Sequence, residues 1–361
     1  MKQEDEKRGD GKKGLKGTWF CEISPQLGKP LPIMERMVSV SMIIPAWNES
    51  ERIAQCLLNA TTQTVPAHEV IVVDNLSTDN TSQIVEDFIA NNPQSKVILL
   101  HQNAEQGLIP SRNYGFNHAT GDILGRFDAD CMIKPDWVEV VSEIFEENPK
   151  AMGATGPCTY YDMPGKVISL AGDNSIRKRI YIADGKRQLL YGSNMAVRRS
   201  AWEVIKNEVC RDKEDIMHED IDLSLHLFDH DFETVYSPDM ITAVSARRMD
   251  TSLSSFRSYM HRFKNTFDAH PQHWRDKKPE YTLTALYPMI HAFYPTYQKH
   301  LEKHDIDPAE EMWINEWISL AERDKMELPD HLAEAGSVQA NPAQTESSRT
   351  GSAKAESAHT R

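Results

Sequence analysis

Between residues 38 and about 130 the chain alternates short apolar runs with segments whose apolar residues recur every three or four positions. Val38-Ser-Val-Ser-Met-Ile-Ile-Pro45 is the first run and Glu69-Val-Ile-Val-Val-Asp74 the second. Val97 to Leu100 and Ile123 to Phe127 are the third and fourth. Continuous apolar runs of this length predict buried strands. Between them, Ile53, Cys56, Leu57 and Ala60 predict one helix, and Ile84, Val85, Phe88 and Ile89 a second. The segment with Arg112, Tyr114 and Phe116 predicts a third. Asn48, with Glu51 three positions on, has the form of a capping box, and Ser77 and Thr78 stand where they could cap the second helix. Strand and helix in alternation predict an α/β fold with a mainly parallel sheet, covered by helices on both faces.

Further along, Gly192 to Arg199 reads as a strand with small residues, followed by a helix capped by Ser200. His218-Glu219-Asp220 opens another helix, buried through Leu223, Leu227 and Phe228. Tyr281, Leu283, Leu286, Tyr287, Ile290, Phe293 and Tyr294 would form one apolar helical face, interrupted by Pro288 and Pro295. Packing on the main domain is the first reading of that face, and peripheral membrane contact the second. Residues 1–36 are charged and Gly-rich and read as a flexible arm. Residues 37–250 read as the main domain, 251–335 as a helical C-terminal extension, and 336–361 as a disordered tail too poor in apolar residues to offset its ordering entropy.

The net charge of −14 disfavours nucleic acid as a partner, because a phosphate backbone would be repelled. A nucleotide could still bind if a cation bridged the negative charges. The five cysteines are scattered, with no CxxC pair, which points to reduced thiols and a cytoplasmic location. No apolar stretch approaches the length of a membrane span.

In a parallel sheet, ligands bind beyond the carboxyl ends of the strands, so the polar residues there carry the candidate chemistry. No GxGxxG follows the first strand and no GxxxxGK[ST] occurs, which disfavours dehydrogenase and P-loop chemistry. Asp128-Ala-Asp130 follows the fourth strand. Two carboxylates two residues apart in an extended segment face one way and suit a hard divalent ion bridging diphosphate oxygens. Three other D-x-D matches, starting at Asp220, Asp229 and Asp305, lack that position. Asp74 ends the second strand and can accept hydrogen bonds from a base or ribose, or act as a turn residue. Arg112 could pair with a diphosphate or with Asp128, or organise the sheet edge. Gly192-Ser193-Asn194 allows close approach of a ligand to backbone, or plain packing. Arg247 and Arg248 could supply cations to phosphate, or be an exposed basic pair. A carboxylate at 219–222 could deprotonate an attacking hydroxyl, although acidic residues suit a first helical turn in any case.

The order of these motifs resembles glycosyltransferase family 2, the inverting transferases of GT-A fold. The residues that carry the resemblance are Ser41-Met-Ile-Ile-Pro-Ala-Trp-Asn48-Glu49, Val70-Ile-Val-Val-Asp74-Asn-Leu-Ser77-Thr-Asp79, Asn103, Gly107 and Arg112-Asn113-Tyr-Gly115. Ala119-Thr-Gly-Asp122, Asp128-Ala-Asp130, Gly192-Ser-Asn194 and Glu219-Asp220 continue it, so that it covers roughly residues 38 to 248. The resemblance implies that Pro45, Glu49 and Asp74 border a nucleotide, with Arg112 and Asn194 as further donor-binding candidates. It implies that Asp128 and Asp130 serve the diphosphate and a Mg²⁺ or Mn²⁺ ion. It implies Asp220 as catalytic base, with Glu219 and Asp222 supporting it. A histidine after the catalytic helix could join the metal, though the sequence does not single one out. The Q-x-x-R-W motif of processive members is missing, so transfer of a single sugar to a carbohydrate or lipid-linked acceptor is expected, with UDP as the default nucleotide. The alternatives are a catalytically silent nucleotide-sugar-binding protein and a retaining GT-A transferase.

Overall fold

The computed structural model describes residues 38–312, apart from 185–186 and 275–276. The arm expected at 1–36 and the tail expected at 336–361 lie outside the described residues.

The first half follows the strand–helix alternation: β1 (Val40–Ala46), α1 (Ile53–Thr61), β2 (Glu69–Asp74), α2 (Thr81–Asn91), β3 (Val97–His101), α3 (Leu108–His118) and β4 (Ile123–Arg126). Then come β5 (Met132–Ile133), α4 (Trp137–Glu147), β6 (Ala151–Thr155), β7 (Cys158–Tyr160), α5 (Lys166–Ile180), β8 (Ile182–Ala183) and β9 (Arg187–Gln188). β10 (Met195–Arg198), α6 (Arg199–Ile205), α7 (Glu219–Asp229), β11 (Glu233–Tyr236) and β12 (Thr242–Val244) follow. A 3-10 turn (Arg247–Asp250) leads to α8 (Leu253–Ala269), α9 (Lys278–His304) and α10 (Pro308–Met312).

The main sheet has the order β11-β6-β10-β4-β1-β2-β3. All its strands run one way except β10, which is antiparallel to both β4 and β6. This mainly parallel sheet with helices on both faces is the α/β arrangement the sequence predicts. The reversal of β10 has a consequence for the site. The start of β10 lies level with the end of β4, Met195 pairing with Arg126. Both lie at the end of the sheet where β1 and β2 also finish, with Arg126 beside Ile43 and Ala46 beside Asp74. Residues just before β10 therefore reach the same rim as residues just after β1, β2 and β4.

One core lies on the α1, α2 and α4 side, around Met42, Ile44, Val70, Val72, Trp137 and Phe145. The other holds Ile43, Ile71, Phe116 and Trp202 together with Ile221, Leu225, Phe256, Phe263 and Tyr287. The helices expected as an extension thus share a core with α7. In α9, Tyr287, Tyr294 and Leu301 turn inward, whereas Tyr281, Met289 and Phe293 are exposed. The single apolar face expected at 281–297 is thereby divided. Among the described residues, no helix is long and apolar enough to cross a membrane.

Helix starts differ from expectation in three places. α1 begins at Ile53, and Asn48 does not cap it. Asn48 instead has a left-handed backbone (φ 54°), which Asn tolerates, and its Oδ1 accepts from the Thr78 N–H at 2.8 Å. Ser77 Oγ accepts from the Asn48 N–H at 3.0 Å. These polar side chains latch the loops after β1 and β2 together. α2 begins at Thr81, whose N–H is met by Asp79 at 3.0 Å. α6 begins at Arg199, so Ser200 lies inside it.

Gly156, between β6 and β7, has the least room for a side chain. A Cβ there would lie 1.9 Å from the Met240 carbonyl oxygen and 2.7 Å from that of Ser237. Both are backbone atoms and cannot rotate away. Gly156→Ala is expected to destabilise by about 1–3 kcal/mol or more, as overpacked sites do, read as a lowered urea midpoint with unchanged slope. An unchanged midpoint would show that this turn yields.

Candidate active site

The rim carries two arginines that the fold has buried: Arg112 is 0% exposed and Arg126 is 1% exposed. Arg126 ends β4 inside the apolar sequence Ile-Leu-Gly-Arg-Phe, and α3 brings in Arg112. Buried guanidinium groups need partners. Glu219, in the first turn of α7, supplies one carboxylate to both. It pairs with Arg112 through Oε2 and lies 3.1 Å from Arg126 through Oε1. Arg126 also pairs with Asp128. Arg112 reaches the Glu219 carbonyl at 3.0 Å and the Asn113 side-chain oxygen at 2.9 and 3.0 Å. Gly192 makes room for this cluster, since a Cβ there would lie 2.1 Å from Arg126 Nη1 and 2.9 Å from Glu219 Oε1. The close approach expected at Gly192 is made by the protein's own ion pairs.

The carboxylates of the rim take different positions. Asp128 accepts from Ser193 Oγ at 2.5 Å, which ties the β4 end to the turn before β10. Asp130 is 2.8 Å from Arg247, which also lies 3.4 Å from Glu49. Burial pushes the Asp130 carboxyl up, the nearby Asp128 adds to this, and Arg247 opposes it. Burial likewise raises Glu49, with Asp130 the next cause. Two acidic groups, Glu49 and Asp130, therefore share one exposed arginine, and Asp128 stands close enough to both to repel them. Asp220 Oδ2 accepts from the Gly192 N–H at 2.7 Å, so its carboxylate is oriented on the same rim.

Asp74 stands at the end of β2. Its Oδ1 is buried with no hydrogen-bond partner among the described residues, and its Oδ2 is 3.5 Å from His101 Nδ1. An unpaired buried acceptor costs about 1–3 kcal/mol unless something donates to it. Pro45 is buried within β1 beside Val73. One residue past β1, Trp47 is 54% exposed, a large ring left at the strand end. Sequence reading passed over Trp47; its signal was an aromatic residue in a strand-end loop.

Three sequence candidates are placed otherwise than at an open rim. The Asn194 amide is spent internally: its Nδ2 donates to the carbonyls of Pro157 (3.0 Å) and Met240 (2.6 Å), and its Oδ1 accepts from Trp137 (2.9 Å). Arg112 meets Glu219, not Asp128. Asp222 is buried among His226, His270 and the Cys210 N–H. Among the described residues, the donor atoms gathered around Asp128 come from Asp130 and Cys131, with no histidine. Arg248 lies over the Tyr259 ring at 3.9 Å.

Residues 41–205 match glycosyl transferase family 2. The glycosyltransferase AglE of Haloferax volcanii is 32% identical over 167 residues, 45% of this chain and 54% of that protein. Chondroitin synthase of Escherichia coli is 31% identical over 115 residues, 32% of this chain and 16% of that protein. The chain thus spans about half of the archaeal relative and less of the bacterial one. Among solved structures, a mannosyltransferase from Pyrobaculum calidifontis, in complex with GDP-Man and Mn²⁺, is 18% identical with a TM-score of 0.48, over 87% of this chain and 88% of that one. Over residues 41–205 the chain is thus similar to glycosyl transferase family 2.

Proposed function

We propose that this protein transfers a single sugar from a nucleoside-diphosphate sugar to a hydroxyl acceptor, with inversion at the anomeric carbon. The observation that carries the reading is the meeting on one rim of an unpaired Asp74 acceptor, the acidic group Glu49, Asp128 and Asp130, and the oriented Asp220. In this reading Asp74 Oδ1 accepts from the base or ribose, and Trp47 offers its face for the base to stack on. Glu49 borders the nucleotide. Arg247, exposed and held between two carboxylates, can turn to the diphosphate.

The donor set fits a hard divalent cation. Asp128 and Asp130 offer carboxylate oxygens, and the burial and mutual repulsion that raise Asp130 are what a bound cation relieves. Mg²⁺ or Mn²⁺ held by these two residues would neutralise charge on the departing diphosphate. Asp220 takes the acceptor hydroxyl proton. The acceptor oxygen then bonds to the anomeric carbon as the bond from that carbon to the diphosphate oxygen breaks. A UDP-sugar is the first donor to test. A lipid-linked acceptor would suit the exposed Tyr281, Met289 and Phe293 of α9, and a carbohydrate acceptor would not need them.

Calorimetric titration of UDP and of other nucleoside diphosphates, with Mn²⁺ and with chelator, tests the reading. Binding is expected only with the cation, and Asp128→Asn and Asp130→Asn should each weaken it. Equal affinity under chelation would remove the metal role. Binding without metal-dependent release of nucleoside diphosphate from any donor sugar would favour a silent binding protein.

A further inference from the structure

A second cluster of ligating side chains lies on α7, turned away from Asp220. Asp222 and His226 are one helical turn apart. Cys210 lies in the segment between α6 and α7, and His270 directly follows α8. His270 Nε2 is 2.8 Å from Asp222 Oδ1, and His226 Nε2 is 3.6 Å from the same oxygen. Cys210 Sγ lies 3.9 Å from His226 Nε2 and 4.0 Å from His270 Nε2. The four donor atoms fall within 4.8 Å of one another.

Tetrahedral zinc, with bonds of about 2.0–2.3 Å, sets its ligands about 3.3–3.6 Å apart. The four separations given bracket that spacing, so adjustment of the side chains would complete the site. One thiol, two imidazoles and one carboxylate form a borderline-soft set that selects zinc over Mg²⁺ or Mn²⁺. The rim pair Asp128 and Asp130 has the opposite preference. The supporting groups are also in place. Asp222 Oδ2 accepts from the Cys210 N–H at 3.0 Å, which leaves Oδ1 for the centre. Asp229 Oδ2 lies 4.0 Å from His226 Nδ1, on the side of the ring away from the cluster. Asp222 and His270 are buried, while Cys210 and His226 are half-buried and give an ion a way in.

We infer that Cys210, Asp222, His226 and His270 form a structural zinc site joining α7 to α8 and to the segment preceding α7. Binding releases the Cys210 thiol proton to solvent, and both imidazoles coordinate through unprotonated Nε2. The site fixes the helix whose first turn bears Glu219 and Asp220, but it does not depend on the reaction assigned to them.

The test is metal analysis of the full chain after dialysis against excess Mg²⁺, together with the spectrum of the Co²⁺-substituted protein. About one zinc per chain is expected, retained in the Asp128→Asn/Asp130→Asn double variant and lost in Cys210→Ser and His270→Ala. Co²⁺ should give a thiolate-to-metal charge-transfer band in the wild type. This band carries the test if the ligand variants fail to fold. Folded wild type that holds no zinc, and whose melting temperature does not rise when zinc is added, would overturn the site. So would zinc that survives Cys210→Ser but disappears with the rim carboxylates.

Discussion

Asp220→Asn is expected to reduce turnover by about 10²–10⁴-fold, the usual cost of losing a general base, while donor affinity stays within a few-fold. The substitution is nearly isosteric, and the Asn side-chain oxygen can still accept from the Gly192 N–H, which Asp220 now holds at 2.7 Å. What disappears is basicity. Asp220 lies in the first turn of α7, with its carboxylate held on the rim beside Gly192. Single-turnover kinetics beside donor titration would separate the outcomes. Near-normal turnover would exclude Asp220 as the base. A loss that weaker donor binding wholly explains would make it a sugar or metal ligand. Asp222→Asn acts elsewhere, because that carboxylate is buried against His270 and His226. It should lower stability more than it changes the chemical step.

β1, β2 and β4 were legible because both faces of each are buried, so each had to be written as a continuous apolar run. β3, at the sheet edge with Ile98 40% exposed, was legible from its apolar run alone. The rim followed from them, since strand ends in a parallel sheet fix where polar residues gather. Helix starts were less legible. Asn48, Ser77 and Thr78 have capping chemistry, but the fold uses them to bind one loop to another, and composition does not distinguish the two uses. Asn194 failed as a rim residue for a related reason. The sequence before β10 does not reveal which way each side chain points, and this amide turns inward to Trp137 and two carbonyls. Arg126 left a signal that went unused: an arginine inside an apolar strand requires a buried acid somewhere. The cysteine–histidine cluster was hidden by distance along the chain. Only Asp222 and His226, four apart on one helix, stood close enough in sequence to be paired.

Glu219→Gln should lower stability by about 3–5 kcal/mol, the cost of removing one partner from a buried ionic cluster. Glu219 serves both buried arginines and is itself mostly shielded, with a side chain 11% exposed. With Asp128 as the second acid, Arg112, Arg126, Glu219 and Asp128 balance two positive charges against two negative ones. Glutamine keeps the shape but leaves one guanidinium charge uncompensated where water cannot reach it. The double variant Arg112→Gln/Glu219→Gln restores the balance, with Arg126 still paired to Asp128. It should therefore be more stable than Glu219→Gln alone, a coupling that independent surface positions would not show. Urea unfolding of the wild type, both single variants and the double variant completes the cycle, provided the slopes agree. If Glu219→Gln left the midpoint unchanged and abolished turnover, Glu219 would face the substrate and the assignment of the base to Asp220 would have to be exchanged for it.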